Sequence, residues 1–298
     1  MIRILLALLL LAPVQEQPLP DRTSFLIEFQ VKRPGLLKAF GATTNWALSG
    51  QYTYTETVTE TTLDSKGSPK HSNTSVFEII PTRHLGFAYR RQTVKDGVPL
   101  TQKELEKQDR KQDAEDRKLD QEIQKAVAEA KARQKANPNP TPPPQRPRAK
   151  LEDSYILMAA DFQLVRREVI DGHPVIVLTF KPNLAHKPVN EIAKMLQHAS
   201  GQAWVSETDY ELVKLDAEVF EPISFGMGLL AKIQPGSRGL FEWRKFNDEI
   251  WLPVRDDFTA RARILLVKGM NFREVHEYSN HRKYVVDVDV QFESPAEK

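Results

Sequence analysis

His276-Glu277-Tyr278-Ser279-Asn280-His281 holds two histidines and a glutamate within six residues. That set is the ligand-and-base chemistry of a zinc protease, but the chemistry needs the histidines four residues apart, one helical turn, so that both rings reach one ion. Here the spacing is five, in a segment that reads as strand and turn. Five residues along a strand send the two rings to opposite faces. No metal site is predicted. His71, His84, His173, His186 and His198 are scattered without ligand-like spacing, which predicts structural roles. Asp256-Asp257 are strand neighbours and point apart, a poor acid/base couple. Asp287 and Asp289 share a face and read as the wet side of a strand. Gly236-Ser237-Arg238-Gly239 has the composition of a nucleophile elbow without its spacing. No P-loop or dinucleotide fingerprint occurs. The chain has no cysteine, which excludes disulfides, thiol nucleophiles, Cys-ligated zinc and a lipid anchor on cysteine. No catalytic residue, metal ligand or cofactor is assigned. A triad assembled from distant residues would leave a hydrolase as the last-ranked reading.

Binding is the better-supported chemistry. Val213, Leu215, Ala217 and Val219 alternate with Lys214, Asp216 and Glu218, and Phe258, Ala260, Ala262 and Ile264 alternate with Arg261 and Arg263. Each set is one face of a half-buried strand. Together they are the candidate ligand-binding face, and the two alanines leave room on it. The segment Ile223–Ala231 is apolar and glycine-spaced. It reads as core strand or helix, or as a pliable flap carrying Phe225, Met227 and Leu229.

The elements that must position these residues are mostly strands. Asp21 caps a short helix with Phe25, Leu26 and Phe29 on one side, which Pro34-Gly35 ends. Alternation starts at Gln51, with Tyr52, Tyr54, Glu56 and Val58 on one face and threonines on the other. Asp64–Ser75 reads as a polar turn, Val76–Ile80 and Leu85–Val94 as strands, and Asp96-Gly97 as a turn. Further on, hairpins are expected around Asp171-Gly172, Thr208-Asp209 and Asn247-Asp248. Strands at Asn271–Tyr278 and over Val286, Val288 and Val290 follow. Asn190–Ala199 reads as a helix ended by Gly201 in a left-handed conformation. Successive hairpins predict a mainly β, α+β fold: an antiparallel curved sheet or half-barrel of roughly ten strands with a few covering helices.

Two segments differ in kind. Met1-Ile2-Arg3 followed by the nine apolar residues Ile4–Ala12 is too short to span a bilayer and fits a secretory signal peptide over 1–15. Thr101–Ala136 is built from Lys, Glu, Gln, Asp, Arg and Ala, with a thin stripe of Leu105, Leu119, Ile123 and Val127. It reads as a solvated helix or a charged tract. Asn137–Arg148 is proline-rich and extended. The organisation is therefore a signal peptide (1–15), a first part of the β domain (16–100), a charged and Pro-rich insertion (101–150), and a second part (151–298). The formal net charge of +2, from 42 basic and 40 acidic residues, argues against a general nucleic-acid binder.

The second half has a family likeness. Phe162–Asn183, Gly201–Val219, Leu240–Arg255 and the closing Glu277–Tyr284 resemble the outer-membrane lipoprotein-sorting (LolA/LolB-like) superfamily, in particular its uncharacterised Gram-negative envelope members. The resemblance covers roughly 150–290. It implies an antiparallel half-barrel, closed on its concave side by helices, that holds acyl chains in an apolar cavity. The insertion at 101–150 and the missing anchor cysteine depart from that pattern, and no functional residue carries over. The expected function is a soluble periplasmic carrier or binder of a lipid, an acylated protein or another apolar ligand, without enzymatic activity. The alternative is an envelope interaction scaffold that meets a protein partner through 101–150. Neither nucleic acid nor a transmembrane segment after signal removal is expected.

Overall fold

The computed structural model describes residues 17–32, 46–82, 84, 88–136, 159–188, 191–225, 231–264 and 268–284. The fold is mainly β, with thirteen strands among the described residues in one antiparallel sheet. In chain order these are β1 (Tyr52–Leu63), β2 (Pro69–Pro81), β3 (Ala88–Lys95), β4 (Val98–Pro99), β5 (Ala160–Ile170), β6 (His173–Pro182), β7 (Ala199–Ser206), β8 (Leu212–Val219), β9 (Ile223–Phe225), β10 (Ala231–Ile233), β11 (Arg238–Phe246), β12 (Ile250–Ile264) and β13 (Lys268–Lys283). Their order across the sheet is β4-β3-β2-β1-β13-β12-β11-β8-β7-β6-β5, with the β9–β10 hairpin attached to β12. β4 and β5 do not meet, so the sheet is open. Among the described residues four helices accompany it: α1 (Arg22–Lys32), α2 (Trp46–Ser49), α3 (Gln102–Ala136) and α4 (Glu191–Leu196).

Turn chemistry places the hairpins where the sequence predicts them. Asp96-Gly97, Asp171-Gly172 and Asn247-Asp248 all have positive φ, as tight two-residue turns require. The Asp21 carboxylate accepts the Ser24 N–H at 2.8 Å and caps α1. Three expectations are corrected. Only Asp64–Ser68 forms the first turn, held by the Asp64 carboxylate on the amides of Lys66 and Ser68, and the strand already begins at Pro69. The helix after β6 stops at Leu196. Gly201 does not cap it but lies inside β7. A Cβ there would fall 2.9 Å from Ala217 Cα and closer still to the Asp216 carbonyl oxygen, so this position needs glycine for close strand approach rather than for a left-handed φ.

The main core lies over β5–β8. Phe25 of α1 is buried and packs with Phe29 into a cluster with Ile176, Leu178, Val205, Val213 and Leu215. Its ring meets Tyr210 at 5.3 Å. Arg22 donates to the Phe162 carbonyl and Arg167 to the carbonyls of Gln17 and Pro18, tying the start of the chain to β5. Leu196 of α4 joins the same cluster. A smaller core of Tyr52, Ile250 and Leu252 is covered by Leu48 of α2.

The long segment is helical, as its composition favours. It opens with a capping box in which the Thr101 hydroxyl accepts the Glu104 N–H and the Glu104 carboxylate accepts the Thr101 N–H. Asp109 then receives hydrogen bonds from Tyr89 and Arg91, and Gln108 exchanges a pair with Gln92. No helix among the described residues is long and apolar enough to cross a membrane. Residues 1–15, Asn137–Arg148 and Val286–Val290 lie outside the described residues.

Candidate ligand-binding face

Strand register decides which side chains share a surface. One line of directly opposed residues crosses the sheet from β5 to β1 as Phe162, Phe180, Gly201, Ala217, Gly239, Phe258, Glu274 and Glu60. The next line runs Leu164, Leu178, Ala203, Leu215, Phe241, Asp256, His276 and Val58. Opposed residues point the same way. The structure therefore brings Val213, Leu215, Ala217 and Val219 onto the same face as Phe258, Ala260 and Ala262, with β11 between them.

These residues do not share one environment. Val213 (1% exposed) and Leu215 (8%) belong to the closed core beneath α1, and Val219 is also buried. Ala217, Phe258 and Ala262 are half-buried, while Ala260 is buried between β11 and β13. Phe225 and Ile264 are placed as strand backbone, and their side chains, with Met227 and Leu229, lie outside what is described. Sequence reading missed Phe241 and Phe272, which are half-buried on this face. Phe272 meets Phe258 edge to face at 5.9 Å, and Phe241 stacks on Trp243. The Phe241 ring folds over Gly239, where a Cβ would fall 2.7 Å from it. Both rings were hidden by their neighbours. Phe241 sits in the mixed run Leu240-Phe241-Glu242-Trp243, which has no clean alternation, and Phe272 follows a polar residue at a strand start.

A polar bank closes the apolar strip on its β13 and β1 side. Glu56 is buried, and its carboxylate accepts from Arg90 Nε at 2.5 Å and His276 Nδ1 at 2.7 Å. His276 Nε2 donates to Glu274 at 2.5 Å. The Arg90 guanidinium lies over the Phe77 ring. Burial opposes ionisation of Glu56, yet the hydrogen bonds from His276 and Arg90 outweigh it and hold the carboxyl below the usual range. His276 is pushed up to about 9, first by Glu56, against burial, and then by Glu274. An imidazolium with both N–H groups donated has no basic nitrogen to offer a nucleophile.

Asp256 is the carboxyl left over once the two cations are matched with Glu56 and Glu274. Its Oδ2 accepts the Tyr278 hydroxyl at 2.8 Å, while its occluded Oδ1 has no hydrogen-bond partner among the described residues. Burial drives its pKa up, with the Glu56 charge adding to the effect. Asp257 points to the other face and pairs with Arg273 and Arg255, as adjacent strand residues must. Asp256→Asn keeps the shape and removes the surplus charge. Because the folded pKa lies above the unfolded one, this group stabilises the fold only as pH falls through its folded value. The variant is therefore expected to be more stable at pH 7 by about 1 kcal/mol, read as a higher urea midpoint. A lower midpoint would show that the fold needs the charge.

The two histidines of the first motif are corrected. An extra residue in β13 opposite Thr53–Thr55, with Asn280 at φ 57°, shifts the alternation. His281 thereby returns to the face of His276 and stacks between Tyr54 and Phe246, at 5.1 and 4.2 Å. Its Nε2 donates to the Pro253 carbonyl, and burial lowers its pKa. Among the described residues no group of acidic and histidine side chains could hold a metal ion.

Among the described residues, depressions also open elsewhere on the sheet. The largest of them, about 710 Å³, lies on the opposite face between Arg238, Arg273 and Leu240. One of about 590 Å³ has a mostly charged lining that includes Asp171, Glu242, Arg244, Arg255 and Glu277 beside Tyr278 and His281. The third, about 170 Å³, borders Trp251.

No protein-family model and no curated protein matches the chain. Among solved structures it is similar to a LolA superfamily protein from Nitrosomonas europaea, with 9% identity and a TM-score of 0.24, over 87% of this chain and 94% of that one. It is also similar to a putative outer membrane lipoprotein-sorting protein domain from Vibrio parahaemolyticus, with 8% identity and a TM-score of 0.31, over 90% and 93%. A third is MucB in complex with MucA(peri), with 8% identity and a TM-score of 0.22, over 89% and 100%. Two of these carry the superfamily name that the sequence resemblance points to.

Proposed function

We propose that the protein is an exported, non-enzymatic binder of an apolar chain, either a lipid or the acyl group of a modified protein. The observation that supports this most is the strip Ala217, Gly239, Phe241, Phe258, Ala262 and Phe272: small residues set among half-buried rings on the open side of the main core. Small residues leave grooves and rings line them, so an aliphatic chain laid there buries its own surface and theirs. Each methylene removed from water contributes about 0.8 kcal/mol. The polar bank at Asp256, Tyr278 and His276 lies at the side of that strip, where a head group would end. The apolar leader at 1–15 is the basis for reading the protein as exported to the periplasm.

The test is mass spectrometry of an organic extract of protein purified without detergent, together with titration of a fluorescent acyl probe. A stoichiometric amphiphile, or saturable probe uptake, is expected. A ligand-free protein that takes up no probe would overturn the proposal. Phe258→Asp puts a charge on the floor of the strip and is expected to weaken probe binding at least about 10-fold without preventing folding, because the ring is only half-buried. Unchanged affinity would move the ligand elsewhere.

A further inference from the structure

Helix α3 changes character where it leaves the sheet. Up to Asp120 one side is half-buried against the β3 edge, through Leu105, Gln108, Asp109, Gln112, Asp116 and Leu119. The approach of His84 to Asp120 at 3.4 Å ends that contact. From Gln121 to Ala132 every residue is exposed, including Ile123 at 46% and Val127 at 47%. At 1.5 Å per residue the helix runs on for about 24 Å past Asp120.

Charge changes at the same place. Residues 102–120 carry six basic and seven acidic side chains, whereas 121–136 carry four basic and two acidic. The docked part is laced by i,i+4 pairs such as Glu106–Arg110 and Lys111–Glu115. In the distal part Ile123, Ala126, Val127 and Ala130 recur at helical spacing, with Lys131 at the edge of that stripe. Two aliphatic side chains are too little for a coiled-coil partner, which needs a sustained heptad seam. A nucleic acid would make no use of the apolar stripe. A basic helix with a thin exposed apolar side has the chemistry of an interfacial helix.

We propose that the arm from Gln121 to Ala136 lies on an anionic lipid surface, with Ile123 and Val127 against the acyl boundary, Lys131 toward the head groups, and Lys125 on the outward side of the helix, where its charge still acts at about a Debye length from the surface. The inference rests on the arm alone, so a protein that takes up no acyl probe would still carry it. The experiment is flotation of the full chain with vesicles of phosphatidylglycerol and phosphatidylethanolamine, against vesicles of phosphatidylcholine. Binding to the anionic vesicles only, falling steeply with salt, is expected. Lys125→Gln with Lys131→Gln should weaken it about 10-fold, with an unchanged melting curve because both residues are exposed and neither touches the sheet. Absent binding, equal binding to both vesicle types, or undiminished binding by the double variant would each overturn the proposal.

Discussion

Gly201→Ala is expected to destabilise the protein by about 3 kcal/mol or more. The added methyl meets backbone, not side chain: the Asp216 carbonyl and Ala217 Cα of β8. A rotamer change cannot relieve that, so β7 and β8 must separate in the middle of the main core. Urea unfolding reads the effect as a lower midpoint at unchanged slope. Gly239→Ala is the matched control. Its neighbour is the Phe241 ring, which can turn aside, so it should cost about 1 kcal/mol. Equal losses for the two variants would show that the strand approach at Gly201 is not the constraint.

Glu56→Ala should cost about 2 kcal/mol, because it removes the buried carboxylate that Arg90 and His276 share, although Arg90 is half-exposed and His276 keeps Glu274. Arg90 would lose its carboxylate and His276 one of its two. The network also predicts a pH profile. His276 has its pKa raised from 6.5 to about 9, so its contribution is complete below 6.5 and is lost as pH rises through about 9. Glu56 is lowered from 4.5, so its contribution is complete above 4.5 and is lost as pH falls through its folded value. The pair therefore supports the fold best between 4.5 and 6.5. Melting temperature measured across pH should show an alkaline decline that His276→Gln flattens. A decline of the same size in that variant would assign the alkaline limb to other groups.

Much of the scaffold was legible because local chemistry and fold agree. Asp-Gly and Asn-Asp turns, clean alternation in β8 and β12, and the capping aspartate of α1 all read directly from sequence. The misreadings share one cause: contacts between residues distant in the chain. Gly201 looks like a helix terminator beside Asn190–Ala199, and only the approach of β8 reveals its role. Counting by twos puts His276 and His281 on opposite faces, and the extra residue at Asn280 undoes the count. The candidate face was legible as two strands but not as an environment. Val213 and Ala217 alternate identically in sequence, yet α1 covers the first and leaves the second half-open. The polar bank was invisible because its members come from β1, β3, β12 and β13.

The pairing of β1 with β13 also dictates when the sheet can be completed. The last described strand lies between β1 and β12, and contacts such as Val58 with His276 close loops of more than two hundred residues. Loop closure on that scale makes long-range pairing late and slow. The β1–β4 hairpins cannot pair with the rest of the sheet until β13 has emerged. A chain with its final strand withheld should therefore keep its sheet in two unpaired parts, held to one another through the small core of Tyr52, Ile250 and Leu252.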